Sequence, residues 1–302
     1  MASNFMIGWG NRLDELTALD ISSTFSSSGT WSSIFPLSNL LNPNIRAYAK
    51  TTATDDLTLT FDMASYPARN VGVVGICGHN LSKDASIQIT VYQDLDPTIA
   101  SDTFSLWPYL PPEHSYWKPR IYSLEVVDAS RIKTMMPVFM WTFENSVIGN
   151  KVIIEIKDPT NADGYFRIGR VFIGELFKPT RNAEYGDVNI TYVDYSNILT
   201  SAVKTRNIYS NKPLRNAQIA WKNLNKFQAI DDLFEIQRVT GLTKELVFTQ
   251  GFASYSNIDV RKVPDSRWFA STFLGYAEEL TSLTYNNFDR FGNGFKIIEA
   301  AQ

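Results

Sequence analysis

The chain has 302 residues, 44% hydrophobic and 20% charged with a net charge of -3, a balance that excludes a disordered or fibrous chain and supplies no basic field for nucleic-acid phosphates. Its single cysteine, Cys77, excludes an internal disulfide and a cysteine-rich zinc site. No apolar run approaches the roughly 20 residues of a membrane span, and Met1 to Gly10 lacks the basic and apolar regions of a signal peptide, so the expectation is a soluble, cytoplasmically made protein without membrane insertion.

In chain order, the first feature is a Ser/Thr-rich stretch, Ser22-Ser23-Thr24-Phe25-Ser26-Ser27-Ser28-Gly29, too polar for a core, which predicts an extended, exposed segment. Leu57, Leu59 and Phe61 alternate with Thr58, Thr60 and Asp62, the period of a strand with one buried face. Val71 to Cys77 is almost continuously apolar and stops at Gly78-His79-Asn80, which predicts a strand covered on both faces. Alternation returns at Ile87, Ile89 and Val91 and again at Val152, Ile154 and Ile156, with turn signals at Asp94-Leu95-Asp96-Pro97 and Asp158-Pro159. The turn Asn161-Ala162-Asp163-Gly164 then leads into a strand pattern from Phe166 to Gly174. Short strands separated by turns predict a jelly-roll β-sandwich over residues 1–180.

Strand periodicity lapses at Lys178-Pro179-Thr180-Arg181-Asn182, which places a boundary near residue 180, and a new alternation starts at Val188. Leu214 to Leu224 is extended. Phe227, Ile230, Leu233 and Phe234 then recur at helical spacing, with Asn225 as N-cap and Gly241 past the end, predicting one helix near 226–240. Its acidic face, Asp231, Asp232 and Glu235, is expected to stay wet or to meet a neighbouring subunit. Strand composition resumes from Leu242 to Thr249 and from Trp268 to Leu283, so residues 181–302 read as a β-rich, barrel-like assembly domain with one packed α-helix.

Catalytic devices are scarce. With only His79 and His114, a Ser-His-Asp or Cys-His arrangement has few ways to form, and the pair Cys77 and His79 sits at a buried strand end and its turn. A calcium loop around Asn161 to Gly164 fails at both ends, on Pro159 and Arg170, while Asp94 and Asp96 fit an ordinary turn. Gly72, Gly75 and Gly78 do not match a dinucleotide fingerprint. No metal and no cofactor is expected. The segment Trp107 to Pro119 holds Trp107, Tyr109, Tyr116 and Trp117 among four prolines, and it reads either as a loop packed over one end of the sandwich or as a surface for a partner or a sugar.

The order of these features resembles a group of siphophage tail proteins with a galactose-binding-like jelly roll: Asn42-Pro43, Asn70-Val71-Gly72-Val73-Val74-Gly75 into His79-Asn80-Leu81-Ser82, a Trp-Pro loop, and Phe166 to Gly174 leading into Pro179 and Tyr185-Gly186. The region from Arg215 to Glu299 is similar to the barrel-with-helix domain from which many tail proteins build rings. The resemblance implies a structural, non-enzymatic virion component of a tail tip or baseplate. Its partners would be other tail proteins and further copies of itself in a ring around the tail channel, with host surface glycan as a further contact. The alternatives are a carbohydrate-binding module and a glycan-degrading depolymerase, the latter needing clustered carboxylates in a cleft.

Overall fold

Alternating β-branched and aromatic residues dominate the chain, and the fold they form is mostly β: an N-terminal jelly-roll β-sandwich and a C-terminal β-rich, barrel-like part with one packed helix. The computed structural model describes residues 5–16, 25–63, 68–82, 84–93, 96–105, 136–183, 187–200, 206–209, 211–250, 272–287 and 290–300. Within them the chain runs β1 (Phe5–Trp9), α1 (Arg12–Leu16), β2 (Phe25–Ser27), β3 (Ala49–Lys50), β4 (Leu57–Asp62), β5 (Arg69–Cys77), β6 (Ser86–Gln93), β7 (Asp96–Ser105), β8 (Val138–Gly149), β9 (Lys151–Lys157), β10 (Arg167–Ile168) and β11 (Arg170–Phe177). It continues through β12 (Val188–Val193), β13 (Asn197–Thr200), β14 (Arg206–Tyr209), β15 (Leu214–Leu224), a helix α2 (227–240), β16 (Glu245–Gln250), β17 (Phe273–Glu279), β18 (Thr284–Asn287) and β19 (Arg290–Glu299).

One face of the sandwich is a five-stranded sheet in the order β2-β4-β9-β6-β7. Its strands bury Leu57, Leu59 and Phe61, Ile87, Ile89 and Val91, and Val152, Ile154 and Ile156, the residues that the alternation selects. The opposing face comes from β11, β5 and β8, where Val71 to Cys77 is buried throughout because β5 is central and covered on both sides. The Ser-rich segment differs from expectation at Phe25. Its flanks remain polar, but β2 pairs with the edge of β4, and the Phe25 ring is buried and stacks on Phe61 at 4.5 Å.

The second sheet does not stop at the sandwich. It runs β12-β15-β19-β17-β16-β1-β11-β5-β8, so β1 is hydrogen-bonded to β11 on one side and β16 on the other, with Ile7 opposite both Phe177 and Phe248. Gly8 is required at this crossing, since a Cβ there would lie 2.7 Å from Val73 Cγ1 and 3.0 Å from Val247 Cβ. A buried polar clamp reinforces it. Arg170 donates Nε to both carboxylate oxygens of Glu245 at 3.0 Å and Nη1 to the Leu40 carbonyl at 3.0 Å, and it also pairs with Asp14. Asn11 donates Nδ2 to Glu245 at 2.9 Å and accepts from the Ile173 N–H at 3.2 Å.

Helix α2 corrects the predicted packing stripe. It begins as a π-helical stretch, Phe227–Phe234, and becomes α-helical over Glu235–Thr240. Asn225 does cap it, accepting the Gln228 N–H at 2.8 Å, and Gly241 closes it with φ of 53°. The wider π turns break the 3.6-residue phase assumed for the stripe. Ala229, Leu233 and Ile236 therefore face the core, Ile230 is half-buried, and Phe227 and Phe234 turn outward at 72% and 47% exposure.

Candidate functional site

Two short Tyr-X-cation segments, Tyr48-Ala49-Lys50 and Tyr165-Phe166-Arg167, meet at one end of the sandwich. Alternation sends Ala49, Phe166 and Ile168 into the core and leaves tyrosine and cation together on the other face. β3 and β10 pair antiparallel with Lys50 directly opposite Arg167. Each cation then lies over the tyrosine of the other segment: Lys50 Nζ is 3.7 Å from the Tyr165 ring centre and the Arg167 guanidinium carbon 5.7 Å from that of Tyr48. Tyr48 in turn stacks on Phe35 at 4.5 Å.

The loop after β5 supports this end. Asn80 donates Nδ2 to the Tyr165 carbonyl at 2.9 Å and to Asp163 at 2.8 Å, while its Oδ1 accepts the Arg167 N–H at 2.7 Å. Thr51 accepts the Phe166 N–H at 2.8 Å. Asp158 is buried and accepts the Ser82 N–H at 2.7 Å, tying the β9 turn to the same loop. The patch thus stands on a hydrogen-bonded frame.

His79 sits behind it, fully buried, with Nδ1 accepting the Leu81 N–H at 3.3 Å. Burial first, and the Arg167 charge second, lower its pKa to about 3, so the imidazole is neutral with its proton on Nε2. Cys77 is buried as well, and burial pushes its thiol well above the ordinary range. A protonated thiol and a neutral imidazole held by the backbone do not form a nucleophilic pair. The Asn161 to Gly164 segment is a turn closed on itself, with Asn161 Oδ1 accepting the Asp163 N–H at 3.0 Å.

Trp107, Tyr109, Tyr116 and Trp117 lie outside the described residues. Asp231 and Asp232 lie on the solvent side of α2, and partial desolvation against the helix, followed by the neighbouring Asp231 charge, raises the Asp232 pKa. Glu235 is partly shielded and pairs with Arg238. These three belong to one helix and stand apart from the tyrosine-cation patch in sequence and element. Tyr48, Lys50, Tyr165 and Arg167 escaped sequence reasoning, although the repeated Tyr-X-cation spacing was the available signal. A trough of about 530 Å³ between β15, β18 and β19 has Ala220, Gly292 and Gly294 among its lining residues. Its lysines are already paired, Lys222 with Asp187 and Lys296 with Glu278 and Glu279.

No protein-family model matches the chain, and no curated protein matches it. Among solved structures, it is similar to the lectin domain of lectinolysin complexed with Lewis B antigen, at 12% identity and a TM-score of 0.32 over 50% of this chain and 91% of that one. A Streptococcus pneumoniae fucose binding module gives 12% identity and a TM-score of 0.32 over 49% and 90% of the two chains. Reduced XRCC1 bound to the DNA pol beta catalytic domain gives 15% identity and a TM-score of 0.32 over 50% and 93%. Each likeness covers about half of this chain.

Proposed function

We propose that the protein is a non-catalytic structural component of a bacteriophage tail tip or baseplate. In this reading residues 1–180 form a galactose-binding-like unit, and residues 181–302 form the unit that assembles with further copies and with other tail proteins in the virion. The observation that supports it is helix α2, which anchors Leu233 and Ile236 in the core yet holds Phe227 and Phe234 in water beside Asp231 and Asp232. Two exposed phenylalanines next to a polar rim suit a surface that a neighbour covers. Analytical ultracentrifugation of the full-length protein tests it. A closed oligomer is expected, dissociated by Phe227→Ser with Phe234→Ser, whereas a monomer up to high micromolar concentration would overturn the reading.

The second reading, a carbohydrate-binding module, is favoured by the aromatic and charged patch at the end of the sandwich, because such faces present rigid rings and hydrogen-bonding groups to a polar ligand. Saturable glycan binding by a protein that stays monomeric would select it.

A further inference from the structure

Lys50 and Arg167 are directly opposite each other across β3 and β10, an arrangement of like charges that weakens an antiparallel pair. Among the described residues neither cation is in an ion pair; what each has is the ring of a tyrosine. Asp163 on the frame accepts from Asn80 and is in no ion pair with either cation. Two N–H groups of the same cluster are also buried without an acceptor, Nε of Arg167 and Nε2 of His79, and the two side chains are close enough for the arginine charge to act on the imidazole. Among the described residues, this partly exposed patch holds two cations opposed in register, an unsatisfied guanidinium N–H and no ion-paired acid, so what it lacks is an acceptor carrying negative charge.

From this we infer that the Lys50–Arg167 pair is a binding site for an anionic oxygen group, a carboxylate or phosphate. Such a group accepts from the Arg167 guanidinium or the Lys50 ammonium and offsets the like charge that the register places across from it. Tyr48 and Tyr165 hold the two cations from behind, so little side-chain entropy is lost on binding. The inference goes beyond ring assembly. It rests only on the sandwich being the unit that faces a surface, and loss of binding with an intact oligomer would sink it without touching the assembly reading.

The test uses full-length protein and isothermal titration with three probes: trigalacturonate, the neutral galactotriose, and inorganic phosphate. Trigalacturonate or phosphate is expected to bind saturably, to weaken as salt is raised, and to raise the melting temperature. Displacement of trigalacturonate by phosphate would identify a site for the anionic group itself, and preference for the uronate would identify the carboxylate as the source. Lys50→Met and Arg167→Met together should weaken binding at least about tenfold. Lys50→Met alone alters only a partly exposed side chain and keeps the comparison available if the pair proves unstable. Equal binding of the neutral trisaccharide, unchanged affinity in the variants, or no binding of either anion would each overturn the proposal.

Discussion

Replacing Glu245 by alanine should destabilise the protein more than any comparable change of a surface carboxylate. Arg170 is fully buried, and Glu245 is its closest buried partner, accepting Nε through both oxygens at 3.0 Å and also the Asn11 amide at 2.9 Å. Truncation leaves the guanidinium with the Leu40 carbonyl and the more exposed Asp14, and it leaves the Asn11 amide with the Val171 carbonyl as its remaining acceptor. Removal of one partner from a buried pair costs about 3–5 kcal/mol, most of it the penalty of an uncompensated charge. Replacing both, Arg170→Met with Glu245→Leu, should recover most of that loss, since apolar residues of similar volume carry no such penalty. Urea unfolding followed by tryptophan fluorescence measures both, because Trp221 packs edge-on to Phe177 in one core while Trp31 and Trp141 pack against the other. A loss below about 1 kcal/mol for Glu245→Ala, or a double variant no better than the single one, would refute the reasoning.

Leu233→Ala should cost about 3 kcal/mol in the same assay, whereas Phe227→Ser should change the stability of the dissociated monomer by less than about 0.5 kcal/mol, because only the first side chain leaves a cavity. Equal losses would mean that α2 is wound in α-helical phase after all. The neutral His79 predicts a pH dependence. Its folded pKa of about 3 lies below the ordinary 6.5, so the unfolded state binds the extra proton. This contribution should be full above pH 6.5 and fall by about 1.4 kcal/mol per pH unit from there down toward the folded pKa of about 3, and His79→Gln should flatten the slope between pH 6.5 and 5. Cys77→Ala should cost about 1 kcal/mol of packing and leave oligomeric state unchanged, as checked by unfolding and sedimentation.

The strands were legible in the sequence wherever a local period reflects burial on one face. β4, β6 and β9 alternate because one side of their sheet meets the core, and β5 is continuously apolar because both of its sides are covered. The N-cap at Asn225 and the glycine at Gly241 were legible for the same local reason, since each end satisfies backbone groups of its own helix. What the tertiary structure decided was everything that depends on residues far apart in the chain. The π winding of α2 moved Phe227 and Phe234 from the predicted core to the surface. β1 became the strand shared by β11 and β16, a pairing between residues more than 160 positions apart that no local pattern encodes. Lys50 and Arg167 look like two ordinary solvated cations until antiparallel pairing of β3 and β10 sets them face to face, because charge repulsion depends on distance in space and sequence spacing carries no record of it.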